Sequence, residues 1–483
     1  MKTMQGIRSL MPSLSALTAA LVLAGCASAP PTVAQHAGVA VPASFSAQAA
    51  AAGWTQAAPA EAQPRGAWWR VFADTELSAL VERAGEANTD VQTAAARLAE
   101  ARALLRSADA QRQPQIGASG GAARQAGANT ASGMQPATLV TAGLNFSYEA
   151  DLFGRLSRAS EAAREDANAR EALLQSTRLM VQADVAQTYL QLRSLQTERQ
   201  LVEQSLAAYR ETLRLIEKRY RAGDAAELDV ARMQTEVSAT EAETLALERQ
   251  QAALTHALAV LVGDVATGFT LASQPVLATL PVIPAGVPAT VLARRPDVSA
   301  AQASVLAAQA RVGVAQAAWF PAITLTGNGG YASPELGDLF KWSARSWGIG
   351  ALLSLPIFDG GQRAAQEEGA RARLEAAVAA QRGQVLAAFR EVEDQLSALR
   401  LLSGQARVLG QAVQSSERAT HLSDVRYRNG LVSQLELLDA RRNELRNRRQ
   451  ALQVRTAQYT ATVALIRALG GGWDSGESPA ARG

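Results

Sequence analysis

Two carboxylates, Glu436 and Asp439, stand three residues apart in Leu435-Glu436-Leu437-Leu438-Asp439-Ala440, shortly after Tyr427-Arg428-Asn429-Gly430-Leu431. On a helix that spacing puts both acids on one face, where they can draw in cations and repel one another. Catalytic acid–base groups come in clusters, and this chain offers none around its three histidines, His36, His256 and His421, which lie far apart in sequence. It has no phosphate-binding glycine loop followed by lysine, and no set of residues at metal-ligand spacing. The expectation is a protein that is not an enzyme and holds no cofactor or metal.

The chain has one cysteine, Cys26, which excludes a disulfide within one copy. Lys2 and Arg8 precede an apolar run from Leu14 to Leu23, and Leu23-Ala24-Gly25-Cys26 follows. A charged start, a short apolar stretch and small residues before a cut site make a secretory signal over residues 1–25. Leu-Ala-Gly-Cys resembles the bacterial lipobox, which implies that Cys26 becomes the first residue and carries covalent lipid, diacylglycerol and an N-acyl chain. Ala27 follows it, rather than the Asp that in many Gram-negative lipoproteins retains the protein at the inner membrane. The resemblance therefore points to the outer membrane.

The elements that must position the acidic pair are long helices. Tyr427-Arg428-Asn429-Gly430 and the acids behind it repeat an earlier stretch, Tyr220-Arg221-Ala222-Gly223 followed by Leu228-Asp229-Val230-Ala231, 207 residues upstream (427 − 220). In each copy a helical pattern runs into the tyrosine, a glycine turns the chain, and a second helical pattern runs back, so each reads as the tip of a helical hairpin. Leu206, Tyr209, Leu213, Ile216 and Tyr220 step by threes and fours, the spacing of a coiled-coil seam. The matching seam, Val413, Ser416, Thr420, Ser423 and Tyr427, is smaller and more polar, and the expectation is a looser contact there. The same offset joins Asp90-Val91 to Asp297-Val298, Gly143 to Gly350, Gly154 to Gly361 and Gly263 to Gly470. One plan is used twice.

Each copy also carries alternating stretches. Ala142, Leu144, Phe146 and Tyr148 alternate with Thr141, Gly143, Asn145 and Ser147, and Trp347, Ile349, Ala351, Leu353 and Leu355 share one face. Period two with one apolar face predicts strands: a weak one over about 115–123, then 139–149, 323–331 and 347–355. Each copy thus reads helix (about 75–112 and 297–319), strand, loop, strand, long helix, tip, long helix. Strands of this length with aromatic ends suit an outer-membrane barrel. Four cannot close one, so the chain must oligomerise. A mean hydropathy of −0.04 and the lack of a later apolar run long enough to span a bilayer exclude a polytopic helical membrane protein. The formal net charge of +3 gives no reason to invoke nucleic acid.

Several stretches closely resemble the outer membrane factors, the TolC-like channels, and within them the lipoproteins of the nodulation-type, resistance-efflux branch. They are Trp68-Trp69 with Phe72 and Asp74; Tyr148-Glu149-Ala150-Asp151-Leu152-Phe153-Gly154-Arg155; Arg294-Arg295-Pro296-Asp297-Val298; Phe320-Pro321; Pro356-Ile357-Phe358-Asp359-Gly360-Gly361; and the two tips. The resemblance implies a mainly α fold with a small β part: long helical hairpins forming a periplasmic tunnel, plus four strands per chain of a trimeric transmembrane barrel. It implies a signal over 1–25, a tether over 26–67, a first repeat over 68–268, a connector over 269–288, a second repeat over 289–472 and a tail over 473–483. The implied partners are two further copies in a homotrimer, a periplasmic adaptor docking at Gly223, Gly430 and Leu431, a proton-driven inner-membrane pump and outer-membrane lipid. Glu436 and Asp439 align with the two acidic positions of the periplasmic constriction, and Tyr427 pairs with Asp229 in the closed-state lock. The arginine that supports this lock in the best-known members falls at Val432, and by the repeat Tyr220 can bond Glu436. A type I protein-secretion channel fits the same features. A lipid-anchored coiled-coil scaffold without a pore remains the reading of another class.

Overall fold

The computed structural model describes residues 39–42, 45, 66–126, 136–272, 280, 281, 283, 291, 292 and 294–471. Cys26, the signal, most of the tether and connector, and the tail lie outside them. The regular elements begin with a 3-10 segment, Trp68–Phe72, and continue through seven α-helices and four strands among the described residues. These are α1 (Thr75–Ala87), α2 (Thr89–Ala110), β1 (Gln115–Gln125), β2 (Ala137–Ala150), α3 (Arg155–Arg221), α4 (Glu227–Leu261), α5 (Pro296–Ala317), β3 (Ala322–Ser333), β4 (Arg345–Ser354), α6 (Gln362–Arg428) and α7 (Gln434–Ala468).

The duplication is visible in the helix boundaries. α3 and α6 are both 67 residues long, α4 and α7 both 35, and α2 and α5 both 22, with each partner 207 residues on (362 − 155, 434 − 227, 296 − 89). At about 1.5 Å per residue, a 67-residue helix is on the order of 100 Å long.

The first repeat departs from expectation at Asn88. A single helix over 75–112 was expected, but α1 stops at Ala87 because Asn88 is extended (φ −66°, ψ 131°). Its side-chain oxygen accepts from the N–H groups of Asp90 and Val91, so Asn88 caps the start of α2. Its amide nitrogen donates to the carbonyl of Leu261, at the end of α4. In the second repeat Arg295 stands at the equivalent position and donates to the carbonyl of Ala468, the residue that matches Leu261.

Contacts divide the chain into two compact units. One comprises Leu98–Arg170 and Ala300–Arg382 and holds the sheet. All neighbours in it are antiparallel, in the order β1-β2-β3-β4, leaving β1 and β4 as open edges. Gly143 and Gly330 let β2 and β3 approach closely, since a Cβ on Gly143 would lie 3.0 Å from the carbonyl oxygen of Gly329. Phe153, in the turn from β2 to α3, stacks on Phe320, in the turn from α5 to β3, at 4.8 Å.

The other unit comprises Val39–Arg97, Glu171–Ser299 and Gly383 onward. Trp68 is buried and donates to Gln182 at 3.1 Å, and Asp74 caps α1 through the N–H of Leu77. A second anchor comes from the tether: Phe45 is buried against Phe389, and Val39 and Val41 pack on Leu292, Val298, Val385 and Ala388. Towards the tips, Leu206, Tyr209 and Ile216 of α3 bury against Met233 and Val237 of α4 and Leu438 of α7. The α3 seam ends there, because Tyr220 is 45% exposed. Its counterpart Tyr427, on the seam expected to be looser, is instead buried, with Arg219 lying over its ring.

Candidate functional site

Both tips are built by one hydrogen-bond pattern. Gly223 adopts φ +84° and Gly430 φ +71°, a conformation that costs glycine little. The N–H of Gly223 donates to Tyr220 and that of Asp224 to Arg219, and Gly430 and Leu431 repeat these bonds to Tyr427 and Arg426. This is the Schellman closure, which satisfies the last carbonyls of α3 and α6. Ser433 then caps α7 by accepting from Glu436 N–H, whereas Ala226 at the start of α4 has no side chain to do so. At the tips Leu431 is 68% exposed, Leu228 57% and Leu435 46%. Such apolar residues on a turn are free to contact a partner.

The acidic residues sit one turn behind. Glu436 pairs with Arg426 at 3.4 Å and Asp439 with Arg442 at 3.9 Å, both half-exposed. Exposed pairs of this kind are worth at most about 1 kcal/mol, so the carboxylates remain available. Arg442 also pairs with Glu236 of α4, Arg441 bonds Asp424 and Thr212, and Arg449 pairs with Glu198 and Glu243. One face of α7 is thereby tied to α3, α4 and α6.

Tyr427 takes its bond from an unexpected donor. The Arg219 guanidinium donates to its hydroxyl at 3.5 Å and sits 5.5 Å from the ring centroid. Within the chain neither Asp229, which is half-buried, nor Tyr220 joins the expected acid–tyrosine pairs: no hydrogen bond links Tyr427 to Asp229 or Tyr220 to Glu436. Val432 cannot supply a cation, and Arg219 supplies one from the other repeat. Sequence reasoning passed over Arg219 and Arg426, although they are repeat equivalents (426 − 219 = 207), each one residue ahead of a tip tyrosine. That position was the available signal.

The sheet has two chemically distinct faces. Register places Ile116 with Phe146, Phe146 with Gly327 and Gly327 with Ile349, so the large apolar residues of all four strands share one side, Leu139 and Leu352 excepted. It includes Leu144, Tyr148, Leu325, Tyr331, Trp347 and Leu353. The opposite side carries Ser119, Thr141, Asn145, Ser147, Thr324, Thr326 and Asn328. Trp347 is 74% exposed and Ile349 86%, an apolar surface that a lipid environment would cover. No helix among the described residues is long and apolar enough to cross a membrane.

Below the sheet, Asp151 caps α3 by accepting from the N–H groups of Leu156 and Ser157. Asp359 holds the start of α6 through Gly361 N–H and a 2.5 Å bond from Arg363. In the helical unit Arg295 is buried between Asp297, at 2.5 Å, and Glu391, at 2.8 Å. Burial pushes the Asp297 carboxyl up, but Arg295, the Val298 N–H and the Gln384 amide outweigh it and hold the group below the usual carboxylate range.

Comparison with known proteins gives this geometry a family. The model of the outer membrane efflux protein family matches twice, over residues 80–264 and 287–471. The two matches begin 207 residues apart (287 − 80), the offset of the helices. Outer membrane protein OprJ of Pseudomonas aeruginosa is 34% identical over 96% of this chain and 97% of its own. The antibiotic efflux pump outer membrane protein ArpC of Pseudomonas putida is 33% identical over 95% of each. The solved structure of the outer membrane protein VceC from Vibrio cholerae superposes with a TM-score of 0.79 at 31% identity, covering 85% of this chain and 100% of that one. With duplicated helical hairpins, a four-stranded amphipathic sheet and this double match, the chain belongs to the outer membrane efflux protein family, the outer-membrane components of bacterial efflux systems.

Proposed function

We propose that three copies of the chain close their sheets into one outer-membrane barrel, continued across the periplasm by a tunnel of the long helices, and that drugs or other small toxic compounds leave the cell through it. The observation that carries this reading is the sheet, with one apolar face, one polar face and two open edges. Lipid does not tolerate open edges, so β4 of one copy pairs with β1 of the next. A proton-driven inner-membrane pump delivers the compound through a periplasmic adaptor docked at the tips around Gly223, Gly430 and Leu431. Lipid on Cys26 adds a second membrane anchor. Glu436, Asp439, Asp229 and Tyr427 line the periplasmic constriction, with Arg219 holding Tyr427. The name of ArpC, an antibiotic efflux component, supports the substrate class.

The test is to express the chain with its native adaptor and pump in cells lacking their own outer-membrane channel, and to follow accumulation of a fluorescent drug. Restored efflux is expected. Unchanged accumulation, with the protein folded in the outer membrane, overturns the reading. Gly430→Trp should abolish efflux while leaving the trimer in the membrane, because it alters the docking surface and not the barrel.

A further inference from the structure

The channel reading turns the polar face of the sheet toward the lumen, and that face carries almost no charge. Along it, from Gln115 to Ala123, from Ala137 to Glu149, from Ala322 to Ala332 and from Ser346 to Ser354, the one ionisable side chain is Glu149. Arg155 neutralises it, donating at 3.0 Å through Nε and at 2.7 and 2.8 Å through Nη2. The remaining side chains are mostly glycine, serine, threonine and alanine, and the larger Gln115, Leu139 and Leu352 stand near the ends of their strands, so little projects from the middle of the sheet except two amides.

Those amides are neighbours. Asn145 stands directly opposite Asn328, and the row is completed by Gly117 beside Asn145 and Gly348 beside Asn328. Both are exposed. Asn145 spends one N–H on the Ser119 hydroxyl at 3.0 Å, leaving its carbonyl and second N–H open. Asn328 lies over Gly348, where a Cβ would fall 2.9 Å from its oxygen.

We infer that Asn145 and Asn328 form a collar of neutral amides inside the barrel, which meets the solute by hydrogen bonding and lets anionic, cationic and zwitterionic compounds pass alike. An amide both donates and accepts, so it serves carboxylate, ammonium and hydroxyl groups without preferring a sign. Selection by charge then belongs to the acidic tip, and the outer-membrane segment does not repeat it. This inference rests on the proposed channel.

The test uses full-length protein in planar bilayers under a potassium chloride gradient, with the tip neutralised by Glu436→Gln and Asp439→Asn. Asn145→Cys and Asn328→Cys are introduced singly, since Cys26 is the only native cysteine, and charge is installed after folding with sulfonatoethyl or trimethylammonium-ethyl methanethiosulfonate. Before reagent, the potassium-to-chloride permeability ratio should lie within about 2-fold of one. The anionic reagent should raise it about 3-fold or more and the cationic reagent should lower it comparably, as a ring of charges in a narrow lumen requires. Leu144→Cys, on the apolar face, should not respond. Conducting channels whose ratio neither reagent changes would overturn the collar, as would strong charge selectivity remaining with the tip neutralised. Absence of conductance in every variant would instead overturn the channel reading itself.

Discussion

Tyr427 at the second tip is held by Arg219. The hydrogen bond is long at 3.5 Å, so more of the contact comes from the guanidinium over the ring. Arg219→Ala should therefore loosen the tip more than Tyr427→Phe, which removes the hydroxyl but keeps the ring. In bilayer recordings the first should raise conductance or open probability clearly and the second only slightly. Equal conductance of Arg219→Ala and wild type would show that Tyr427 is held by something else. The carboxylates call for a different measurement. Because Glu436 and Asp439 each have an arginine beside them, Glu436→Gln with Asp439→Asn should reduce cation selectivity and multivalent-cation block by a moderate factor, about 2-fold to 5-fold, rather than abolish them. The acids themselves were legible from their spacing, which shows on any helix. Arg219 was harder to read: its place beside Tyr220 marks it by the repeat, but its partner lies in the other repeat, 208 residues on.

At the level of elements, each repeat latches the end of its last helix in its own way. Asn88 holds the Leu261 carbonyl with one neutral bond, whereas Arg295 holds that of Ala468 with a cation fixed between Asp297 and Glu391. Removing Arg295 strands two half-buried carboxylates, so Arg295→Ala should cost roughly 3–5 kcal/mol, and Asn88→Ala about 1–2 kcal/mol. Thermal unfolding of detergent-solubilised protein would rank them. The charged latch also predicts a pH dependence. The folded pKa of Asp297 lies below its unfolded value, so its stabilisation is present above the unfolded carboxylate pKa, near 4, and is lost as pH falls through the depressed folded value. Asp297→Asn should flatten that acid limb, and an unchanged limb would place the loss elsewhere. The glycines that follow α6 and α7 make a further contrast. Gly470 has φ +90°, and a Cβ there would meet the Arg294 carbonyl oxygen at 2.9 Å, whereas Gly430 has open space around it. Gly470→Ala should destabilise by about 1–3 kcal/mol and Gly430→Ala by about 1 kcal/mol. The break at Asn88 was harder to read than the matching start at Pro296. Proline announces a helix start by its chemistry, while asparagine in an alanine-rich helical run becomes a visible cap only once its oxygen is seen accepting from Asp90 and Val91.

For the molecule as a whole, the duplication and the strands were readable because both depend on periodicity: an offset of 207 kept by helices of equal length, and alternation that sorts apolar from polar residues onto two faces. The third dimension of the sheet was not readable. Which residue stands opposite which depends on register across chain segments far apart, and the pairing of Asn145 with Asn328 is one result. The proposed pore is made by this chain assembled with copies of itself. It is tested most directly by single-channel recording of the purified full-length protein in a planar bilayer, with the oligomer checked by native mass spectrometry in the same detergent. A trimer that produces discrete, long-lived conductance steps, enlarged by Arg219→Ala, is expected. A folded monomer, or a trimer that inserts into the bilayer but never conducts even with Arg219 replaced, would contradict it.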